Sequence, residues 1–422
     1  MSIQSRWKKR SVRQSRVSAL APSAAIERQE IMRHDTGRRL LLTKLGLAAG
    51  AGAGALALVR AAYAGPCDTG SPLVGPTGKS LQDVYDKIAR TDDGLAEART
   101  PVESLSGSAT AQYIISAPGA YYLTGNITGV AGKAAIEIQA DHVELECDGF
   151  TFIGVAGTLA CIVVPSVQRC IGIFDAGFRG WLNTCIDLRN ATESLVEECW
   201  FDACDSTTNA AAIGTCALGA GGVVFDCDVR SCHGSLVSVG QHGVIEECTN
   251  VNGDGGCFFS VGDAVMEDNF AMQNSGTGFT IQDRGVVIGN RLVNVGGIDA
   301  GAGSVVSEND IGNAPGAAIT VRGARCCVEE NYIANGPTGI AVLAAGGETL
   351  VDGNQIVGVT SDGVTINASA TGCFVIRNCV RGTGTAYTIP AGNAYGPLTN
   401  VAGAGDISAI AGANHPWANF VY

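Results

Sequence analysis

The chain has 422 residues, of which 27 are Lys or Arg and 40 are Asp or Glu, a formal net charge of −13. That sign excludes a nucleic-acid-binding role, because phosphate backbones are held by an excess of Lys and Arg, and it disfavours anionic lipid headgroups. Fifty-eight glycines and only 16% charged residues fit a chain with many tight turns, built as two or three ordinary domains or as one elongated repeat array.

In chain order, the first feature is a leader over residues 1–64. Arg38 and Arg39 precede the apolar run LGLAAGAGAGALALV (45–59) and an A-x-A site at Ala62, Tyr63 and Ala64. This is the pattern of a twin-arginine-type signal peptide. Fifteen Ala- and Gly-rich residues fall short of the ~20 needed to span a bilayer. The sequence therefore predicts an exported protein, periplasmic, cell-surface or secreted, with no membrane span in the mature chain. The leader holds 12 basic and 3 acidic residues, so its removal leaves 15 against 37, a net charge near −22. Residues 65–110 form an N-terminal segment. Within it SLQDVYDKIAR (80–90) sets Leu81, Val84, Tyr85 and Ile88 at helical spacing behind an N-cap Ser80, which predicts a capping helix.

Residues 111–389 are periodic. The phrases SLVEECWF, GVVFDCDV, GVIEECTNV, AVMEDNFAM, GVVIGNRLV, SVVSENDI, CCVEENYI, TLVDGNQI and CFVIRNCV align on one misfit in an apolar strand. The misfit is Cys199, Cys227, Cys248, Asn269, Asn290, Asn309, Asn331, Asn354 and Asn378, with Asp148 and Cys170 extending the column upstream. Short alternating strands at a period near 21 residues, separated by glycines, predict an all-β parallel solenoid of about eleven coils. Equivalent positions then stack roughly 4.8 Å apart. The Asn column reads as an amide ladder, each Asn at a corner where its backbone tolerates the left-handed conformation. Residues 390–422 lose the period and carry Trp417 and Phe420, which predicts an irregular C-terminal cap.

An Asn ladder of this period resembles the right-handed parallel β-helix of the pectin-lyase-like superfamily. More narrowly, ISAPGAYYLTGNITG (115–129), HVELECDGFTFIG (142–154) and ANHPWANF (413–420) resemble exported β-helix repeat proteins of planctomycete-type bacteria. The resemblance covers roughly residues 80–422 and implies the fold; the fold alone does not imply a function.

Sixteen cysteines in an exported protein suggest disulfides. The column argues for buried thiols instead, because stacked side chains have parallel Cβ vectors, a poor geometry for a bridge. The signatures of metalloproteases, α/β-hydrolases and polygalacturonase-like β-helices are missing. The densest polar neighbourhood is Asp228, Arg230, His233, His242, Glu246 and Asp254, which adjacent coils bring close enough to supply an acid, a base and an Arg; the plainer reading is exposed turn residues. Acids recur just before the corner, among them Glu246, Glu247, Glu267, Asp268, Glu329 and Glu330. They read as a solvated face or as a strip that collects Ca²⁺, the one cofactor the sequence suggests. A third feature is an outward column of Asp187, Ser238, Ser260, Thr280, Asp299, Thr320, Ala341 and Thr365, a shallow polar face without aromatic platforms. Two function classes follow: an exported β-helix that binds or processes a glycan, lyase- or hydrolase-like by fold analogy, or a non-catalytic surface, structural or adhesive solenoid.

Overall fold

The computed structural model describes residues 99–205, 214–234, 237–382 and 384–422. The leader and the expected helix at 80–90 lie outside the described residues. No helix among the described residues is long and apolar enough to cross a membrane.

One turn shows the construction. Strand Val286–Ile288 is followed by a corner at Gly289, strand Arg291–Val293 by a corner at Asn294, and strand Ile298–Ala300 by a corner at Gly303. Three-residue strands alternate inward and outward, so Val287, Leu292, Ile298 and Ala300 are buried while their neighbours face out. Each strand pairs in parallel with its counterparts one turn away: Val287 lies between Met266 and Val306, Leu292 between Ala271 and Ile311, Ile298 between Phe279 and Ile319. Repetition produces three rows of strands around one core. The first row is a 14-stranded sheet from Thr100–Pro101 to Ala394–Tyr395. The second and third rows join into one 25-stranded sheet, since Tyr332–Val342 and Gln355–Ile366 run unbroken through the corner between them.

The protein is an all-β parallel β-helix of about fourteen turns. Eleven coils was an undercount, because the turns that open with the first-row strands Thr100–Pro101, Gly119–Tyr122 and Ala394–Tyr395 fall outside the aligned phrases. Thr151 pairs with Gly177 and Gly177 with Trp200, so the ladder position ahead of Cys199 is filled by Phe150 and Ala176. Neither residue carries the polar mark. Asp148 and Cys170 do not belong to the column. Asp148 turns the chain two residues earlier, and Cys170 occupies the corner that leads into the first row.

The ladder forms from Asn269 to Asn378. The Asn290 amide donates to the Asn309 Oδ1 at 3.0 Å, to the Met266 carbonyl at 2.9 Å and to its own Ile288 carbonyl at 3.0 Å. The Asn309 Oδ1 also accepts the Asn290 backbone N–H at 3.0 Å. The same pattern recurs at Asn269, Asn309, Asn331, Asn354 and Asn378. A buried polar side chain whose every group is bonded costs no desolvation penalty. The left-handed residue is not the Asn, as the sequence suggested, but the one before it: Asp268, Gly289, Glu308, Glu330, Gly353 and Arg377. Among the described residues, the non-glycine residues with positive φ lie between 48° and 62°, and none is β-branched, as the steric cost of that region requires.

The cysteines follow the ladder. Among the described residues fourteen are free thiols, twelve of them buried. Cys199, Cys227 and Cys248 donate from Sγ to the carbonyl two residues back, at 3.4, 3.3 and 3.2 Å, which is one of the bonds the Asn amide makes. The Cys248 N–H then donates to the Asn269 Oδ1 at 2.9 Å, where the amide ladder begins. Cys170 is disulfide-bonded.

The C-terminal segment differs from the expected irregular cap. Asn419 is a further rung, accepting from the Asn378 backbone N–H at 3.0 Å. The last strand, Asn419–Val421, lies between Cys379–Arg381 and Leu398–Asn400 and pairs in parallel with both. Its order in space therefore differs from its order in the chain. The sequence hid this rung because 41 residues separate it from Asn378. Gly396 is obligatory there: a Cβ would stand 1.6 Å from the Trp417 carbonyl oxygen.

Candidate functional site

Each ladder residue is followed at once by the first residue of a second-row strand, whose side chain points outward. The register of that row puts Trp200, Asp228, Thr249, Phe270, Arg291, Asp310, Tyr332, Gln355, Cys379 and Phe420 in one column, each directly paired with the next. Four aromatic residues thus recur at every third turn. Three turns at the ~4.8 Å strand spacing separate neighbouring rings by about 14 Å. Tyr332 is 44% exposed, and the other three are partly covered.

The neighbourhood fixes how these rings lie. Trp200 spreads across Gly177 of the preceding turn, where a Cβ would come within 2.3 Å of the indole. Arg179 sits over the Trp200 ring at 5.4 Å, and Arg291 over the Phe270 ring at 5.9 Å, both within cation–π range. Each arginine also meets a carboxylate of the same face: Arg179 with Asp202 at 3.5 Å, Arg230 with Asp228 at 3.0 Å, Arg291 with Asp310 at 3.6 Å. Desolvation holds the Asp310 carboxyl above the usual carboxylate range, against the pull of Arg291. The result is an outer face of aromatic rings separated by hydroxyl, amide and charge-balanced polar groups.

The six residues of the polar neighbourhood fall on two sides of the coil. Asp228 and Arg230 lie on the aromatic face. His233 and Asp254 meet at the next corner, where the His233 Nδ1 bonds the Asp254 Oδ2 and the Gly234 N–H donates to the Asp254 Oδ1 at 2.7 Å. The bond from Asp254 raises the His233 pKa above its ordinary value. His242 turns the chain into the first row, with its Nε2 3.9 Å from Asp263, and Glu246 ends the first-row strand that follows. Ten residues along this chain lead round a corner, so nearness in sequence did not make one site.

Of the acids, Glu246 pairs with Glu267 and Glu329 with Asp352 across adjacent turns of the first row. Glu247, Asp268 and Glu330 hold left-handed corner positions. Among the described residues no group of three or more His, Cys, Asp or Glu is placed to hold a metal ion. In the third row, Ser238 pairs with Phe259 and Phe259 with Thr280, so Phe259 faces outward and Ser260 is buried. The expected column was out of step by one residue there, which moves a side chain to the opposite face.

Sequence reasoning missed the aromatic column. Its signal was present in the aligned phrases, one place after the ladder residue: EECW, EDNF, EENY and the terminal ANF. Without Asn419 as a rung, the fourth member and the regular interval were invisible.

No protein-family model matches the chain, and no curated protein matches it. Among solved structures it is similar to PfbA, a surface adhesin of Streptococcus pneumoniae, with 11% identity over 74% of this chain and 89% of that one and a TM-score of 0.43. It is similar to the periplasmic alginate epimerase AlgG, with 12% identity over 75% and 87% of the two chains and a TM-score of 0.40. The catalytic unit of the GH87 α-1,3-glucanase from Streptomyces thermodiastaticus gives 12% identity, 71% and 70% coverage and a TM-score of 0.29. An adhesin, an epimerase and a glucanase act differently, and none of these activities is carried over.

Proposed function

We propose that this is an exported polysaccharide-binding solenoid, whose second-row face holds a glycan chain along the length of the β-helix. The observation that carries this reading is the column Trp200, Phe270, Tyr332 and Phe420, outward and evenly spaced. An aromatic face is negative and attracts polarised hydrogens laid against it, which the C–H face of a sugar ring supplies. The hydroxyl, amide and carboxylate groups between the rings are suited to sugar hydroxyls. The reading is binding rather than turnover, because Asp202 and Asp228 on this face are both engaged by arginines.

Affinity electrophoresis against a panel of soluble polysaccharides tests it, with parallel assays for new reducing ends and unsaturated products. At least one polysaccharide is expected to retard the protein without being cleaved. The double substitution Trp200→Ala, Tyr332→Ala is expected to abolish retardation at an unchanged melting temperature, since both side chains lie outside the core. Retardation that survives the double substitution, or no retardation by any polysaccharide, refutes the reading.

A further inference from the structure

We infer that the second-row face takes a neutral, linear glycan running parallel to the solenoid axis and reads it in steps of three turns; this rests on the glycan-binding reading above. Two independent observations carry it, the first being the interval. The four rings are separated by Asp228 and Thr249, by Arg291 and Asp310, and by Gln355 and Cys379, two residues in every case. The chain does not produce this interval trivially, because sequence separations between successive members vary from 19 to 41 residues. Only the stacked register makes it regular. The rise of one turn, about 4.8 Å, is close to the advance of one sugar in an extended 1,4-linked chain. A straight chain on this face therefore meets a ring, two polar positions, and a ring again.

The second observation is charge. A polyanion is held by cations in excess of their local partners. Here Arg179, Arg230 and Arg291 are each paired with a carboxylate of the same face. Arg381 forms no ion pair among the described residues, so the strands alone carry four arginines against three aspartates, and the corner ahead of them decides the sign of the face. At that corner Glu198, Asp226, Glu247, Asp268, Glu308 and Glu330 stand two residues ahead of Trp200, Asp228, Thr249, Phe270, Asp310 and Tyr332, with Arg377 as the arginine of the same column, so the edge as a whole is negative. Uronate chains are repelled by such a surface and neutral chains are not.

A chain that reaches a second ring gains a tethered contact at high effective concentration, so affinity rises in steps with chain length. The test is titration calorimetry of the full mature chain with ladders of neutral β-1,4-linked glucan, mannan and xylan oligosaccharides, and with oligogalacturonates of the same lengths. One neutral ladder is expected to bind with nearly constant affinity while it covers one ring. Affinity should then rise at least tenfold on reaching the next, and again at a third. Phe270→Ala is expected to erase the step between Trp200 and Phe270, leaving single-ring affinity at an unchanged melting temperature. Raising salt tenfold is expected to change neutral-glycan affinity by less than twofold. A smooth rise with length, or oligogalacturonate binding more tightly and weakening with salt, overturns the inference while leaving glycan binding intact, provided Trp200→Ala, Tyr332→Ala still abolishes it. Failure of every ladder to bind overturns both.

Discussion

A cysteine at the ladder position is a partial substitute for asparagine. Its Sγ reproduces one carbonyl bond of the amide, as Cys227 does at 3.3 Å to Phe225, but it cannot offer the Oδ1 that would accept the N–H of the turn before. The exchange is tolerated because a thiol is a small apolar group as well as a weak donor. Buried thiols away from the ladder also tie stability to alkaline pH. Burial pushes the Cys185 thiol from its ordinary 9.0 up to about 11, and the Cys257 thiol up to about 12. A thiol kept protonated in the fold but free to ionise once unfolded contributes its full stability below about pH 9. That contribution is lost as pH rises through the folded-state value. At roughly 1.4 kcal/mol per pKa unit, Cys185 alone accounts for about 3 kcal/mol between pH 9 and 11. The melting temperature is therefore expected to hold steady from pH 7 to 8.5 and to fall steeply above 9, with a shallower fall in Cys185→Ala. An equal slope in that variant would remove Cys185 as a cause.

The three-residue strand is the working element; in the second row one inward side chain secures it and the two flanking ones point outward. The second-row strand Gly177–Arg179 shows how an outward position is prepared. Its Phe178 stacks in the core between Phe152 and Phe201 at 5.1 and 4.9 Å, while Gly177 leaves room for the Trp200 ring to lie flat. Gly177→Ala is expected to displace that ring and lower polysaccharide retardation to the level of Trp200→Ala, with a melting temperature within a few degrees of the parent. Normal retardation in Gly177→Ala would show that the ring's flat placement is irrelevant. Much of this element was legible beforehand. The Asn ladder from Asn269 to Asn378 and the cysteines at 199, 227 and 248 follow from period and residue type alone. The aromatic column was not legible, because outward residues obey no hydrophobic pattern. Their relation to one another exists only once unequal intervals have been folded into equal turns. The ladder residues of two early turns escaped for a related reason: Phe150 and Ala176 hold that place with nothing to distinguish them from core, with Asp148 and Cys170 read in their stead.

At the scale of the molecule, each turn touches only its two neighbours, so stability is close to a sum over adjacent pairs and the ends are the weak points. The C-terminal end departs from that rule, because Asn419–Val421 is inserted between a strand of the preceding turn and the strand Leu398–Asn400 that precedes it in the chain. An ordinary solenoid end frays one rung at a time, with amide exchange growing slower inward. Here the strand Leu398–Asn400 pairs with no described strand but the inserted one. The segment cannot be peeled stepwise, since withdrawing the insert severs two ladders at once. Deuterium uptake at the Phe420 amide, which donates to Asn378 at 2.8 Å, and at the Val401 amide, which donates to Val421 at 2.9 Å, should then share a single opening rate: a latch in place of a gradient.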